Sequence, residues 1–291
     1  MYYLIAKNSD LLSQLFGCVC NNLNTEYKIS SLKIFIKFIE QLIKDFVPSS
    51  CKSVDTSEKK DTEEPETEFE EMDSNLLRIN SDSKFSVDLD INNYLDIFNV
   101  IYSYLETICL DFVKISDSNF TLFTSFEQEI PKMGYYKIVE FEYIVLIFDL
   151  VAAVFKNNNI KIIDIANKSL DLLIDKFIDL KILDIIVKYF FLYEWNSFYQ
   201  NMFERLVSCL IQKNIPEKLI ASFFSSSGLI EKIVENCFNT GLSFKSGCAI
   251  FPGYFANLCQ IMSIINKSEN IHLLKIICIS KKISFLLLIR R

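Results

Sequence analysis

The chain has little of the chemistry that enzymes commonly use. It has one histidine, one tryptophan, six glycines and five prolines among 291 residues. The glycines form neither a G-x-G-x-x-G pattern nor a phosphate-binding loop, which excludes nucleotide binding by those devices. His272 stands between Ile271 and Leu273 in an apolar helical pattern without an evident partner, so a structural role is favoured over catalysis. We predict a protein without catalytic activity, cofactor or metal, and an enzyme with His272 as general base is the least favoured alternative.

The nine cysteines form no recognisable framework. They are scattered and odd in number, and their spacing matches neither a set of disulfides nor a zinc site. Free thiols are typical of a reducing compartment. We therefore predict a cytoplasmic protein, with the nucleus as a second location.

Negative charge is concentrated in one stretch. The net charge is −7, but residues 55–73 hold ten acidic side chains and two lysines, which leaves +1 on the remainder. Without a concentrated basic face, nucleic acid is excluded as the main partner. The acidic stretch belongs to a polar segment, residues 49–86, that buries too little apolar surface to offset the entropy of ordering. We predict a disordered insertion there, with a solvated loop favoured over an acidic docking motif.

No stretch of the sequence predicts a membrane span. The start of the chain lacks the basic and apolar regions of a signal peptide. The only charge-free run long enough to cross a bilayer, residues 246–266, contains Pro252, Gly253 and three amide side chains. A loop followed by a helix is favoured for this run, because these residues are poorly suited to a membrane.

Apolar residues make up 51% of the chain and recur at helical spacing. The pattern predicts helices at 9–20, 30–46, 90–114, 136–156, 160–178, 182–192, 196–213, 216–226, 228–238, 253–266 and 270–288, and no convincing strands. Residues 144–155 are apolar nearly all round, with Asp149 as the single charge, which predicts a helix covered on both sides. Glu140 and Glu142 are two positions apart and point to different helix faces, so we expect both side chains to be solvated.

The helices carry a weak internal repeat. Residues 181–187 align with residues 228–234, 47 positions later, with four coinciding apolar residues and one acid. Residues 134–139 give a weaker third match. This period lies at the upper end of armadillo and HEAT repeats. We predict an all-α fold, an armadillo/HEAT-like helical repeat array (α-solenoid), with N-terminal helices in 1–48, the acidic insertion in 49–86 and the main helical-repeat domain in 87–291.

A short aromatic segment, which we call the corner, separates two of the predicted helices. Residues 193–196, Tyr-Glu-Trp-Asn, separate the helix at 182–192 from the next, so the chain forms a helical hairpin. Trp195 and Phe198 are candidate anchors for a protein partner, since tryptophan is enriched at binding hot spots. Core packing between the two helices is the favoured alternative. A second aromatic segment, Phe-Pro-Gly-Tyr at 251–254, is explained equally well by a turn before a helix.

The corner resembles the signature of the SAPS family, the Sit-four phosphatase-associated proteins. Those proteins typically read Phe-Phe, a short gap and then Tyr-Pro-Trp-Asn-Asn-Phe-Leu-His. The residues that the chain keeps are Phe190, Phe191, Tyr193, Trp195, Asn196 and Phe198. The residues that depart are Glu194, Ser197, Tyr199 and Gln200, where the family usually has Pro, Asn, Leu and His. A second family block, Gly-Tyr-Met-Gly-His-Leu, is echoed by Gly253, Tyr254 and Leu258, with Ala256 and Asn257 in place of its Gly and His.

The resemblance covers residues 134–266. It implies a helical-repeat regulatory subunit that binds the catalytic subunit of a protein phosphatase 2A/6-like Ser/Thr phosphatase and directs its activity, without chemistry of its own. The partner-binding residues that it suggests are Tyr193, Trp195, Asn196, Phe198, Gly253, Tyr254 and Asn257. A helical-repeat adaptor in trafficking or nuclear transport is the alternative function.

Overall fold

Helices make up most of the regular structure in the computed structural model. It describes residues 9–21, 25–46, 91–114, 121–123, 129–156, 160–211, 215–238, 243–245, 248–250 and 252–268. The insertion predicted at 49–86, the helix predicted at 270–288 and His272 lie outside the described residues, and the predictions about them stay predictions.

The described helices lie close to where the periodicity predicts them. They are α1 (Ser9–Asn21), α2 (Thr25–Phe46), α3 (Ile91–Val113), α4 (Tyr135–Lys156), α5 (Ile160–Asp179), α6 (Ile182–Leu192), α7 (Ser197–Leu210), α8 (Glu217–Ala221), α9 (Leu229–Phe238) and α10 (Phe255–Lys267). A π-helical turn, Ser222–Ser226, follows α8. The start of α2 lies more than one turn before the predicted Ser30, because Ile29 extends the apolar stripe of Leu32 and Ile36.

The helices stack in two layers that follow the order of the chain. In one layer α2 contacts α4, α4 contacts α7, and α7 contacts α10. In the other, α1 contacts α3, which contacts α5 and α6, and the π-helical turn joins α6 to α9. Hairpin partners such as α1 with α2 and α6 with α7 connect the layers. The predicted all-α helical repeat fold is thereby confirmed, since each helix pair contacts mainly its neighbours along the array.

The apolar helix α4 lies at the centre of the array, as its sequence predicts. It contacts α2, α3, α5 and α7, and every residue from Tyr143 to Phe148 is buried. Its one mid-helix charge, Asp149, forms an ion pair with Arg205 of α7 at 2.5 Å, which compensates the partly buried carboxylate. Neither α4 nor any other helix in the described part of the chain is both long and apolar enough to cross a membrane.

The internal repeat has a counterpart in the backbone. Lys181 (φ 50°) and Gly228 (φ 69°) adopt the left-handed conformation directly before α6 and α9, respectively. This conformation is strained for lysine and natural for glycine. Gly134, in the weaker third match, does not share it. The two stronger matches therefore have the same chain reversal before a helix, and the third does not.

Two short antiparallel hairpins connect helices. The first pairs β1 (Thr121–Phe123) with β2 (Glu129–Pro131), and the second pairs β3 (Ser243–Lys245) with β4 (Cys248–Ile250). Sequence alternation does not predict them, because three residues are too few for a period of two to be recognised. The first hairpin precedes α4 and becomes part of the site described below.

The prediction of a solvated side chain is wrong for Glu140, which is fully buried on α4. Lys137, one turn earlier, is also buried, and its Nζ donates to the carbonyl oxygens of Asp111 (3.2 Å) and Phe112 (2.6 Å). This lysine therefore caps the C-terminus of α3. Burial raises the pKa of Glu140 to about 7, although the positive charge of Lys137 opposes the shift.

Candidate protein-binding site

The corner between α6 and α7 is a tight turn fixed by its own backbone. The Tyr193 N–H donates to the carbonyl oxygen of Tyr189 at 2.9 Å, and the Asn196 N–H donates to that of Tyr193 at 3.0 Å. Asn196 then caps α7, because its Oδ1 accepts from the Tyr199 N–H at 3.0 Å. These bonds give the corner one defined conformation.

A buried glutamine holds the corner from the side of α7. The Nε2 of Gln200 donates to the carbonyl oxygens of Tyr193, at 3.4 Å, and of Glu194, which is closer. Its neighbour Tyr199 is completely buried, and its hydroxyl donates to the carbonyl oxygen of Ile186 at 2.9 Å. Burial raises the pKa of Tyr199 well above its ordinary value, so the hydroxyl keeps its proton. The first turn of α7 is thereby tied to both the corner and α6.

A groove of about 320 Å³ opens between the corner and the hairpin β1–β2. It is lined by Leu122, Ile130, Pro131, Lys132, Met133, Ile138, Tyr193, Glu194, Trp195, Asn196, Ser197 and Phe198. Leu122, Trp195 and Phe198 expose 48%, 38% and 73% of their surface, so apolar side chains are available to a partner. The indole N–H of Trp195 donates to the Glu194 carboxylate at 3.2 Å, which orients the ring. We call this feature the corner groove.

The second aromatic segment lies behind the corner. A Cβ on Gly253 would overlap the carbonyl oxygen of Glu194 and lie 3.0 Å from Cε3 of Trp195. The next residue, Tyr254, is buried, and its ring centroid lies 5.3 Å from that of Phe191. The two motifs, which are far apart in the sequence, are therefore in direct contact.

Most of the chain matches one protein family. A model of SAPS, described as SIT4 phosphatase-associated protein, matches residues 7–284. The chain belongs to the SAPS family. The comparisons with curated proteins and with solved structures gave no match. SAPS proteins are phosphatase-associated regulatory proteins, which supports a regulatory and non-catalytic role for this SAPS chain.

The structure brings together most of the predicted partner-binding residues of this SAPS chain. Those that line the corner groove are Tyr193, Trp195, Asn196 and Phe198. Gly253 and Tyr254 pack behind the corner without lining the groove. Asn257 lies apart from it, because its Nδ2 donates to Asn201 (3.0 Å) and Glu204 (3.1 Å) on the flank of α7. Trp195 and Phe198 are both exposed. The favoured alternative, in which these two side chains pack in the core between the helices, is therefore wrong.

Three departures from the usual SAPS motif have local explanations. Gln200, in place of the usual His, keeps a side-chain N–H donor that reaches the corner carbonyl oxygens. Tyr199, in place of Leu, fills the core and adds a hydrogen bond to α6. Glu194, in place of Pro, accepts the indole N–H of Trp195. The corner is therefore supported by its own hydrogen bonds despite these substitutions.

The sequence did not indicate the opposite wall of the corner groove. That wall consists of Leu122, Ile130, Pro131, Lys132 and Met133, in and directly after the first hairpin. The periodicity predicts helices at 90–114 and 136–156 and no element between them. The one available signal was a small group of apolar residues, Leu122 and Ile130 among them, in an otherwise polar stretch.

Proposed function

We propose that this SAPS chain is a non-catalytic regulatory subunit that binds the catalytic subunit of a protein phosphatase 2A/6-like Ser/Thr phosphatase and directs its activity. In this proposal the phosphatase contacts the corner groove, and Trp195 and Phe198 are the anchoring side chains. The observation that carries the proposal is the exposure of these two motif residues in a protein of a phosphatase-associated family.

The position of the corner supports this assignment. Exposed tryptophan and phenylalanine side chains beside a concave apolar surface are typical of the centre of a protein interface. The hydrogen bonds that Asn196 accepts and Gln200 donates fix the corner before any partner arrives, so little conformational entropy is lost there on binding. Gly253 and Tyr254 have a positioning role in this proposal, since they pack behind the anchors.

The test is recovery of the partner by the full-length chain. We expect the tagged chain to recover a 2A/6-like phosphatase catalytic subunit from a lysate, as identified by mass spectrometry. The double substitution Trp195→Ala and Phe198→Ala should reduce that recovery at least tenfold, because truncation of two anchors removes on the order of 2 kcal/mol or more. The matched control is Leu110→Ala with Leu172→Ala, since these leucines are exposed on other helices.

Three outcomes would contradict the proposal. Equal loss in the control pair would mean that exposed apolar area in general, and not the corner groove, is responsible. Full recovery by the corner variant would place the phosphatase on another surface. Recovery of cargo peptides or coat proteins without a phosphatase would favour the adaptor function instead.

A further inference from the structure

We infer that Lys137 and Glu140 form a pH-sensitive switch beside the corner groove. In one state the Lys137 ammonium holds the last carbonyl oxygens of α3, and Glu140 is neutral. In the other state Glu140 has released its proton to solvent, and Lys137 turns from α3 to the carboxylate. The end of α3, and the part of the groove that packs on it, is then less ordered. Only the effect of this switch on phosphatase binding rests on the proposed function.

The last carbonyl oxygens of α3 are held by side chains from other helices. Lys137 of α4 donates to the carbonyl oxygens of Asp111 at 3.2 Å and Phe112 at 2.6 Å. The hydroxyl of Tyr189 on α6 donates to that of Val113 at 3.4 Å. Carbonyl groups in the last turn of a helix have no acceptor role within the helix. Release of Lys137 would therefore leave two of them without the donor that now satisfies them.

Glu140 is placed to compete for the same lysine. Its side chain is completely buried, and neither carboxylate oxygen accepts a hydrogen bond in the described part of the chain. An ionised carboxylate is costly to bury in this state, so the neutral form is favoured while Lys137 remains on α3. The two residues are three positions apart and therefore on the same face of α4. The flexible four-carbon stem of lysine lets its ammonium move between the two sites.

Ionisable groups from four helices surround Glu140. They are Lys28 on α2, Cys109, Asp111 and Lys114 on α3, Tyr136 and Lys137 on α4, and Tyr189 on α6. Burial raises the pKa of Cys109 and of Tyr189, so both stay neutral. Burial opposes the shift of Asp111, but the hydrogen bond from Lys114 and the charge of Lys28 lower its pKa. Asp111 therefore stays ionised and paired with these two lysines.

Glu140 is the acid of this cluster that changes charge near neutral pH. Burial raises its pKa to about 7, although the positive charge of Lys137 opposes the shift. Burial lowers the pKa of Lys137, and the negative charge of Glu140 opposes that shift. Each charged form therefore favours the other, so loss of the proton from Glu140 draws the ammonium toward it. The cap on α3 is present below this pH range and is lost as the pH rises through it.

The switch adjoins the corner groove. Ile138, the residue after Lys137, lines the groove, and so does Tyr193. The ring centroid of Tyr193 lies 5.4 Å from that of Tyr189, whose hydroxyl holds Val113 at the end of α3. Loss of the Lys137 bonds therefore loosens α3 at its contact with Tyr189 and, through Tyr193, the corner itself.

Trp195 reports on the groove in the full chain, because it lines the groove and is the only tryptophan. We expect its fluorescence to change with pH, with a midpoint near the Glu140 value of about 7. Glu140→Gln should abolish this transition, since glutamine keeps the neutral state. The controls are Glu142→Gln, on the same helix, and Glu194→Gln, which removes the carboxylate beside the indole. Both should retain the transition.

Lys137→Met separates the switch from simple titration of Glu140. Methionine cannot hold the α3 carbonyl oxygens, so the groove should be in the released state at every pH and the fluorescence transition should disappear. Glu140 still titrates in this variant, so urea denaturation should still show a stability that depends on pH. If Lys137→Met does not fold, the result for Glu140→Gln decides alone.

Three results would overturn the inference. They are a wild type without a fluorescence transition, a transition that persists in Glu140→Gln, and a transition that persists in folded Lys137→Met. None of these measurements involves a partner, so they do not depend on the proposed function.

Phosphatase recovery tests the consequence for binding. Recovery by the wild type should be roughly threefold to tenfold lower at about pH 8 than at about pH 6, as expected when one or two side chains must be ordered on binding. Glu140→Gln should remove this difference, and equal recovery by the wild type at both pH values would contradict the effect on binding. If the fluorescence transition is present but no phosphatase is recovered at either pH, only the proposed function fails. If phosphatase is recovered but the transition is absent, only the present inference fails.

Discussion

Gly253 lies directly against Trp195, although Trp195 is in the corner between α6 and α7 and Gly253 is in the turn before α10. A side chain at position 253 would lie 3.0 Å from Cε3 of the indole and would overlap the carbonyl oxygen of Glu194. The glycine is therefore required by close approach and not by an unusual backbone angle, since its φ is not in the left-handed region. Its absence of a side chain lets α10 begin directly behind the corner.

We predict that Gly253→Ala displaces the corner. The added methyl group overlaps backbone rather than the end of a flexible side chain, so the chain must shift, at a loss of about 1–3 kcal/mol in the free energy of unfolding. The shift should also change the fluorescence of Trp195 and weaken phosphatase recovery. Gly134→Ala is the matched control, because a Cβ there would meet nothing within 4 Å. Equal losses of stability in Gly253→Ala and Gly134→Ala would contradict the conclusion that close approach requires a glycine at position 253.

Gln200 gives a second prediction about the corner. Gln200→Leu removes the side-chain hydrogen bond to the Glu194 carbonyl oxygen and should lower the free energy of unfolding by about 1–3 kcal/mol. Gln200→His, the usual family residue, retains an N–H donor and should preserve most of the stability and of the phosphatase binding. Urea denaturation and pull-down of both variants provide the measurements. If Gln200→His loses as much stability and phosphatase binding as Gln200→Leu, the side-chain N–H donor is not the cause of the loss.

Much of the helical array could be predicted from the sequence. The segment Ile182–Leu192 has the predicted bounds, because an apolar run is followed directly by the polar and aromatic corner that ends it. The central position of α4 follows from apolar residues all round the helix. The burial of Glu140 could not be predicted in the same way, because Glu140 precedes the apolar stretch 144–155 and Glu142, two positions later on the same helix, is only partly buried.

The site could be predicted only in part. The motif predicted that Trp195 and Phe198 belong to the site. It did not predict the hairpin opposite them, because strands as short as β1 have no detectable periodicity.

The role of Gln200 could not be predicted for a different reason. Its acceptors are the carbonyl oxygens of Tyr193 and Glu194, and that contact depends on how the turn folds back on α7.

The two left-handed residues give a paired prediction on stability. Gly228→Ala should lower the free energy of unfolding by about 1 kcal/mol, because φ is 69° and a Cβ there would meet only Glu231 at 3.9 Å. The strain is therefore in the backbone and not in a clash. Lys181→Gly should have the opposite effect, with a gain of up to about 1 kcal/mol, since relief of strain at φ 50° is offset in part by the freedom of glycine in the unfolded chain. Urea midpoints that move in the same direction for both variants would contradict this account.

Glu140 predicts how stability changes with pH. The ordinary pKa of this carboxyl group is 4.5, and burial raises the pKa to about 7 in the folded chain. Between these values the folded protein holds a proton that the unfolded chain has released. The free energy of unfolding therefore falls as the pH rises through this window, and the full loss is reached above about pH 7. A shift of this size corresponds to on the order of 3 kcal/mol.

We predict that Glu140→Gln removes this pH dependence, because a glutamine of similar shape has no proton to lose. Urea denaturation at about pH 5 and about pH 8 should give similar stabilities for wild type and variant at the lower pH, and a more stable variant at the higher pH. Glu142→Gln, on the same helix but less buried, is the control and should retain the wild-type dependence of the free energy of unfolding on pH.

An identical pH dependence for wild type and Glu140→Gln would mean that Glu140 is ionised in the folded protein throughout this range. The charge of Lys137 would then compensate the buried carboxylate fully, and Lys137→Met should lower the stability mainly at the higher pH.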